Sequence, residues 1–112
     1  MIKNMIKSKV FDIIDIISIT SGILLTSKER LKETLSYFLQ TDLEDFQIIP
    51  ASQAIRSTLT DIHPWLLKID LSELTTRNAG NYIKMIRKVL GDTVVFPDIL
   101  TVEDHFRTAK QA

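Results

Sequence analysis

From Val10 to Leu25 the chain reads VFDIIDIISITSGILL, with Ile13, Ile14, Ile16, Ile17 and Ile19 crowded into one short stretch. A bilayer span needs about 20 apolar residues, and Asp12, Asp15, Ser18, Thr20, Ser21 and Gly22 break this run too often to supply them. Its apolar side chains therefore have to be covered by the rest of the fold. The opening Met1-Ile2-Lys3-Asn4-Met5-Ile6-Lys7 has the charge of an export signal, but the run behind it is too polar for an export core. Residues 1–7 read as a frayed N-terminus. The protein is expected to be soluble and cytoplasmic, with no membrane partner.

Within that stretch, Val10, Ile13, Ile14 and Ile17 recur at helical spacing. The pattern predicts a first helix over about residues 8–20, capped by Ser8 and closed by Gly22 in a left-handed conformation. Ile23-Leu24-Leu25 suits a small strand or a buried connector. Thr26 and Glu29 have the spacing of a capping box, and Leu31, Leu35, Phe38 and Leu39 form the inward stripe of a second helix. Phe46 to Ile49 reads as an edge strand ended by Pro50. Ala54, Ile55, Leu59 and Ile62 mark a third helix over about 51–62, stopped by His63-Pro64.

Trp65 to Leu74 is dense in apolar residues and reads as irregular or briefly helical, covered within the monomer or in a homo-oligomer. A fourth helix follows, with Ala79, Tyr82, Ile83, Ile86, Val89 and Leu90 on one face and Gly91 at its end. Thr93 to Phe96 is a strand closed by Pro97, and Thr101 to Asp104 caps a last short helix carrying Phe106 and Ala109. The expected fold is a small α+β domain over residues 1–112, with four or five short helices and a two- or three-stranded sheet. Its 112 residues, 45% hydrophobic and 25% charged, suit one compact domain.

Charge and composition narrow the chemistry. Fourteen Lys and Arg balance fourteen Asp and Glu, so no global field attracts a polyanion. With no cysteine there are no disulfides, thiolate nucleophiles or thiolate metal sites. His63 and His105 lie far apart and do not make up a zinc ligand set, so no metal and no cofactor is expected. His63 reads as a helix-end residue bonding a free carbonyl. There is no G-x-S-x-G elbow and no glycine-rich phosphate loop. Pro97-Asp98 followed by Glu103-Asp104-His105 resembles a P-D…(D/E)-x-K nuclease pattern, with His105 standing where the lysine belongs. The carboxylate groups Asp12/Asp15, Asp42/Glu44/Asp45 and Glu103/Asp104 are expected on solvated faces and in first turns of helices.

Three surfaces offer binding instead. Thr20, Ser21 and Gly22 at the end of the first helix, Thr26 at the start of the second, and Gln53 and Arg56 on the third supply the parts of a small anion or nucleotide pocket. Arg77, Lys84, Arg87 and Lys88 give the fourth helix a basic side suited to nucleic-acid phosphates. Trp65 is either core or the anchor of a protein interface.

The run Ile16 to Thr26 (IISITSGILLT) resembles an I-L-S-I-T-T-G-x-L-x-S opening found in a family of small bacteriophage-encoded proteins of unknown function. The likeness continues through Leu35-Ser36-Tyr37-Phe38-Leu39 to Asp61-Ile62-His63-Pro64-Trp65-Leu66 and covers roughly residues 16–67. Where the family has H-Q-L-P-R, this chain reads Gln53-Ala54-Ile55-Arg56-Ser57, so the histidine has no counterpart. The resemblance implies a phage accessory protein acting in the host cytoplasm. The expectation is a non-enzymatic protein that blocks or sequesters a host factor, either a host protein or a nucleotide-derived defence signal. The alternatives are a nucleic-acid accessory protein using its basic helix and, less favoured, a metal-dependent nuclease.

Overall fold

The computed structural model describes residues 8–97. Strand β1 (Ser8–Asp12) leads directly into helix α1 (Ile13–Ser21), followed by α2 (Lys28–Leu39), α3 (Ile48–Ile62), α4 (Ala79–Leu90) and β2 (Thr93–Pro97). Short 3₁₀ turns at Asp45–Gln47 and Pro64–Lys68 join α2 to α3 and follow α3. The architecture is α+β, with four helices beside a two-stranded antiparallel ribbon.

The first helix starts later than periodicity predicts. Ser8 to Asp12 pairs with Thr93–Pro97, placing Phe11 opposite Val94 and Val10 opposite Val95. Phe11 and Val94 are buried while Val10 and Val95 face outward, the alternation of a strand. Asp12, not Ser8, caps α1, and its carboxylate accepts the Ile14 amide at 2.9 Å. Gly22 does close the helix in the left-handed region, at φ 78°.

All residues from Ile13 to Ile19 are buried. Helix α1 is thus wrapped on every side, by α2, α3 and the ribbon. Leu31, Leu35, Phe38 and Leu39 come from α2 and Ile55 and Leu59 from α3, as their spacing requires. Phe11 stacks on Phe38 with centroids 4.6 Å apart, and Phe96 meets both rings edge-on. His63 stands at the end of α3, where its ring Nε2–H donates to the Val95 carbonyl at 2.6 Å. This bond fastens α3 to β2.

Asp15 lies in the first turn of α1, as expected of its carboxylate, but it is 6% exposed and not on a solvated face. Burying a carboxylate is costly unless a cation and hydrogen bonds meet it. Arg30 of α2 supplies both, donating from Nε at 3.3 Å and from Nη2 at 2.9 Å. Asp12 lies 3.6 Å from the same guanidinium and accepts Arg87 Nη2 of α4 at 3.0 and 3.1 Å. Arg87 also reaches Asp92 at 3.6 Å. One chain of charges therefore runs through α2, α1, α4 and the start of β2.

Other expectations need revision. Ser27 caps α2 in place of Thr26, accepting the Arg30 amide at 3.1 Å. Ile23 and Leu24 are exposed in an irregular segment, not a strand or a buried connector. The stretch read as an edge strand is the 3₁₀ turn and the first turn of α3. Pro50 fits there because a first-turn amide has no intrahelical acceptor to lose. On α4 only Ile86 is buried, while Val89 is 72% exposed and Leu90 also reaches solvent. Residues 1–7, Asp98 and the Thr101–Ala109 segment with Glu103, Asp104 and His105 lie outside the described residues.

Asp12 serves as helix cap and as ion partner at once. Asp12→Ala is expected to lower unfolding free energy by about 2 kcal/mol in urea titration, and Asp12→Asn, which keeps a capping oxygen, by about half as much. Equal losses in the two variants would show that the cap contributes nothing.

Candidate functional site

Where α1 ends, the chain turns through Gly22 and leaves a cleft of about 540 Å³ bounded by α1, α2, α3 and the 3₁₀ turn. Helix α3 forms one wall with Ile48, Ile49, Ser52, Gln53 and Arg56. Ser18 and Gly22 come from α1, Lys28 and Leu31 from α2, and Leu24 and Asp45 from the connecting segments. The volume falls within the range of roughly 300–1,000 Å³ usual for small-molecule sites.

Of the six residues assigned to an anion pocket, Gly22, Gln53 and Arg56 line this cleft. Thr20, Ser21 and Thr26 do not. The Thr20 hydroxyl donates back to Ile17 at 3.5 Å, and the Ser21 hydroxyl accepts the Ile23 amide at 3.1 Å, so both serve the end of α1. Ser18 is occupied too: its hydroxyl donates to the Ile14 carbonyl and accepts the Leu25 amide, each at 2.9 Å. That pair of bonds folds the connecting segment back over α1.

Arg56 has a different position. Its Nε–H donates to the Ile19 carbonyl at 3.0 Å, so the guanidinium sits at the end of α1 where partial negative charge gathers. Helix α1 has no basic residue in its own last turn, and α3 supplies one. A Cβ on Gly22 would lie 3.3 Å from Arg56 Nη2. The left-handed backbone angle favours glycine here, and a side chain would also push the Arg56 guanidinium aside by a few tenths of an ångström. Among the described residues Arg56 forms no ion pair, and its terminal nitrogens remain available at the cleft.

One helical turn earlier, Ser52 shares this face of α3. It is 7% exposed, and among the described residues its hydroxyl has no hydrogen-bond partner. An unpaired polar group at such a depth is uncommon and calls for an explanation. Ser57, the residue after Arg56, is exposed and does not line the cleft. The i, i+4 spacing puts Ser52 on the Arg56 face of α3, but only the packing of α3 against α1 shows that this face borders the cleft.

At the far side, Asp45 accepts Lys28 Nζ at 2.9 Å and Lys32 Nζ at 2.7 Å. The two lysines, Lys32 foremost, hold the Asp45 carboxyl down at about 2. The charged lining of the cleft is thus Lys28, Arg56 and a carboxylate already claimed by two cations, a balance that favours an anion. Leu24, Leu31, Ile48 and Ile49 give it an apolar floor and rim. Such a site can hold an anionic group at one end and an apolar body beside it. Among the described residues no cluster of three or more His, Asp or Glu side chains gathers to hold a metal ion.

The other candidates lie elsewhere. Arg77, Lys84 and Lys88 are exposed, but Arg87 turns into the fold towards Asp12 and Asp92. Trp65 is half-buried and lines a second groove, beside α4. Among the described residues no helix is long and apolar enough to cross a membrane. No protein family, curated protein or solved structure matches the chain.

The Asp45 contacts set a pH dependence with a definite sign. A carboxylate held below its ordinary 3.8 contributes stability above that value and loses the contribution as pH falls towards 2. Side-chain NMR should find Asp45 titrating near 2, and Lys32→Ala should move its midpoint up towards 3.8. A midpoint already near 3.8 in the unaltered protein would contradict the double contact.

Proposed function

We propose that this protein binds a small anionic, nucleotide-like ligand in the cleft between α1, α2 and α3, and acts by holding it in fixed proportion without turning it over. The observation that carries the reading is a pairing on one face of α3: Arg56 and the buried Ser52 hydroxyl, the first without a carboxylate and the second without a hydrogen-bond partner among the described residues. A charged donor beside a neutral one is a common means of orienting a phosphate or carboxylate. Gln53 adds an amide at the rim, and the leucine and isoleucine side chains opposite suit a base or other flat apolar body.

The reading extends the role implied by the phage-family resemblance. It places the protein in the cytoplasm of an infected host, where capturing a nucleotide-derived defence signal would blunt the response that the signal commands. The cleft's chemistry supports capture more than conversion. Its one carboxylate is engaged by lysines, and among the described residues His63 is bound to β2 at the end of α3.

Isothermal titration and thermal-shift measurements with cyclic mononucleotides, cyclic dinucleotides and ADP-ribose test the proposal. One of these should bind and raise the melting temperature. Ser52→Ala should weaken that ligand by about tenfold, and Arg56→Gln by about tenfold to a hundredfold. Lys84→Glu should leave affinity unchanged. Failure of all three ligand classes to bind at millimolar concentration, or undiminished binding by both cleft variants, would refute the reading.

A further inference from the structure

The cleft between α1, α2 and α3 has two cationic ends. Arg56 stands at one, with the Ser52 hydroxyl on the same face of α3. Lys28 lines the other, where its Nζ meets the Asp45 carboxylate at 2.9 Å. Asp45 opens the 3₁₀ turn that leads into α3, and Ile48, Ile49, Ser52, Gln53 and Arg56 follow along that helix. At the usual rise of an α-helix, about 12 Å of axis separates Ile48 from Arg56. Leu31, Ile48 and Ile49 add apolar surface to the same lining. Two cations so placed are met more fully by two anionic groups than by one.

One of these ends already holds an anion. The Asp45 carboxylate bridges Lys28 and Lys32, which lie one turn apart on α2. Of the two lysines, only Lys28 lines the cleft. Lys32 makes the shorter contact, 2.7 Å, and is the less exposed, at 35% against 53%. Asp45 is itself 57% exposed, so water replaces Lys28 around its carboxylate when that contact opens. Exposed ion pairs of this kind contribute little net stability. Asp45 can therefore give up Lys28 and keep Lys32 by a side-chain rotation alone. The Arg56 end has no such occupant: among the described residues no carboxylate pairs with its guanidinium, and the Ser52 hydroxyl has no partner.

We infer that the cleft takes a ligand with anionic groups at both ends of an apolar body, the class of a nucleoside bisphosphate. One group binds Arg56 and Ser52, and the other replaces Asp45 at Lys28. Asp45 is then an internal competitor. It holds the second seat in the free protein, and a ligand with a single anionic group leaves it there. This rests on the cleft being an anion site and adds a second charge to its ligand.

Adenosine 5′-monophosphate and adenosine 3′,5′-bisphosphate differ by one phosphate on the same nucleoside and serve as probes, titrated calorimetrically into the full-length protein. The bisphosphate should bind about tenfold more tightly. Lys28→Gln should weaken the bisphosphate by about tenfold and the monophosphate far less, while Arg56→Gln should weaken both by about tenfold or more. Asp45→Asn removes the competing charge and should tighten the bisphosphate by about threefold. Equal affinities for the two nucleotides, or a Lys28→Gln loss shared equally by both, would overturn the inference. With Arg56→Gln still weakening both, the single-anion reading of the cleft would survive that result. Weaker bisphosphate binding in Asp45→Asn would also overturn the inference, because a carboxylate that positions Lys28 for the ligand is not its competitor. If neither nucleotide binds at millimolar concentration the inference falls too, and the cyclic nucleotides and ADP-ribose then decide whether the anion-site reading falls with it.

Discussion

A helix buried on every side leaves no room for an unpaired charge, and α1 carries Asp15, buried, in its first turn. The Asp15–Arg30 pair meets that constraint, and much of the structure follows from it. Arg30 sits where Ser27 starts α2, so the pair fixes α2 against α1 near its first turn. The carboxylate is shielded, while the arginine is 54% exposed and keeps part of its hydration. A half-solvated cation lowers the cost of burying the partner, because only one of the two ions is fully withdrawn from water. Asp12 extends the same network to Arg87, the main polar tie between α4 and the core.

Fixing α1 at its start also fixes where it ends, and the cleft is built from that end. Gly22 turns the chain, Ser18 folds the following segment back, and Arg56 crosses from α3 to meet the last carbonyls. These are structural duties. Among the described residues they leave the outer nitrogens of Arg56 and the hydroxyl of Ser52 without partners, and the proposed binding reading rests on that surplus. The contrast with Thr20 and Ser21 is instructive: both carry the right chemistry, and both use it on their own helix.

The parts of the fold legible in the sequence were those whose period matches their burial. Leu31, Leu35, Phe38 and Leu39 placed α2, Ile55 and Leu59 placed α3, and Thr93 to Phe96 placed β2. β1 was misread because Val10 falls in helical register with Ile13 and Ile17, although it is an outward-facing strand residue. Only its partner Val95, far away in sequence, decides the matter. Phe46 to Ile49 misled in the opposite way, since β-branched and aromatic residues before a proline also suit the entry to a helix. Within the cleft, Gly22, Gln53 and Arg56 could be singled out from residue type alone. Lys28, Asp45 and Ser52 could not, because their placement depends on how α2 and α3 cross α1.

The dependence of the fold on one ion pair is open to direct measurement by a double-mutant cycle in urea denaturation, using Asp15→Asn, Arg30→Gln and the pair together. If Arg30 is what makes a carboxylate tolerable inside α1, the two substitutions couple by about 1–3 kcal/mol, and the double variant is more stable than their summed losses imply. Losses that add to within about 0.3 kcal/mol would mean that the two side chains act independently, and that α1 is held in place by its isoleucines alone.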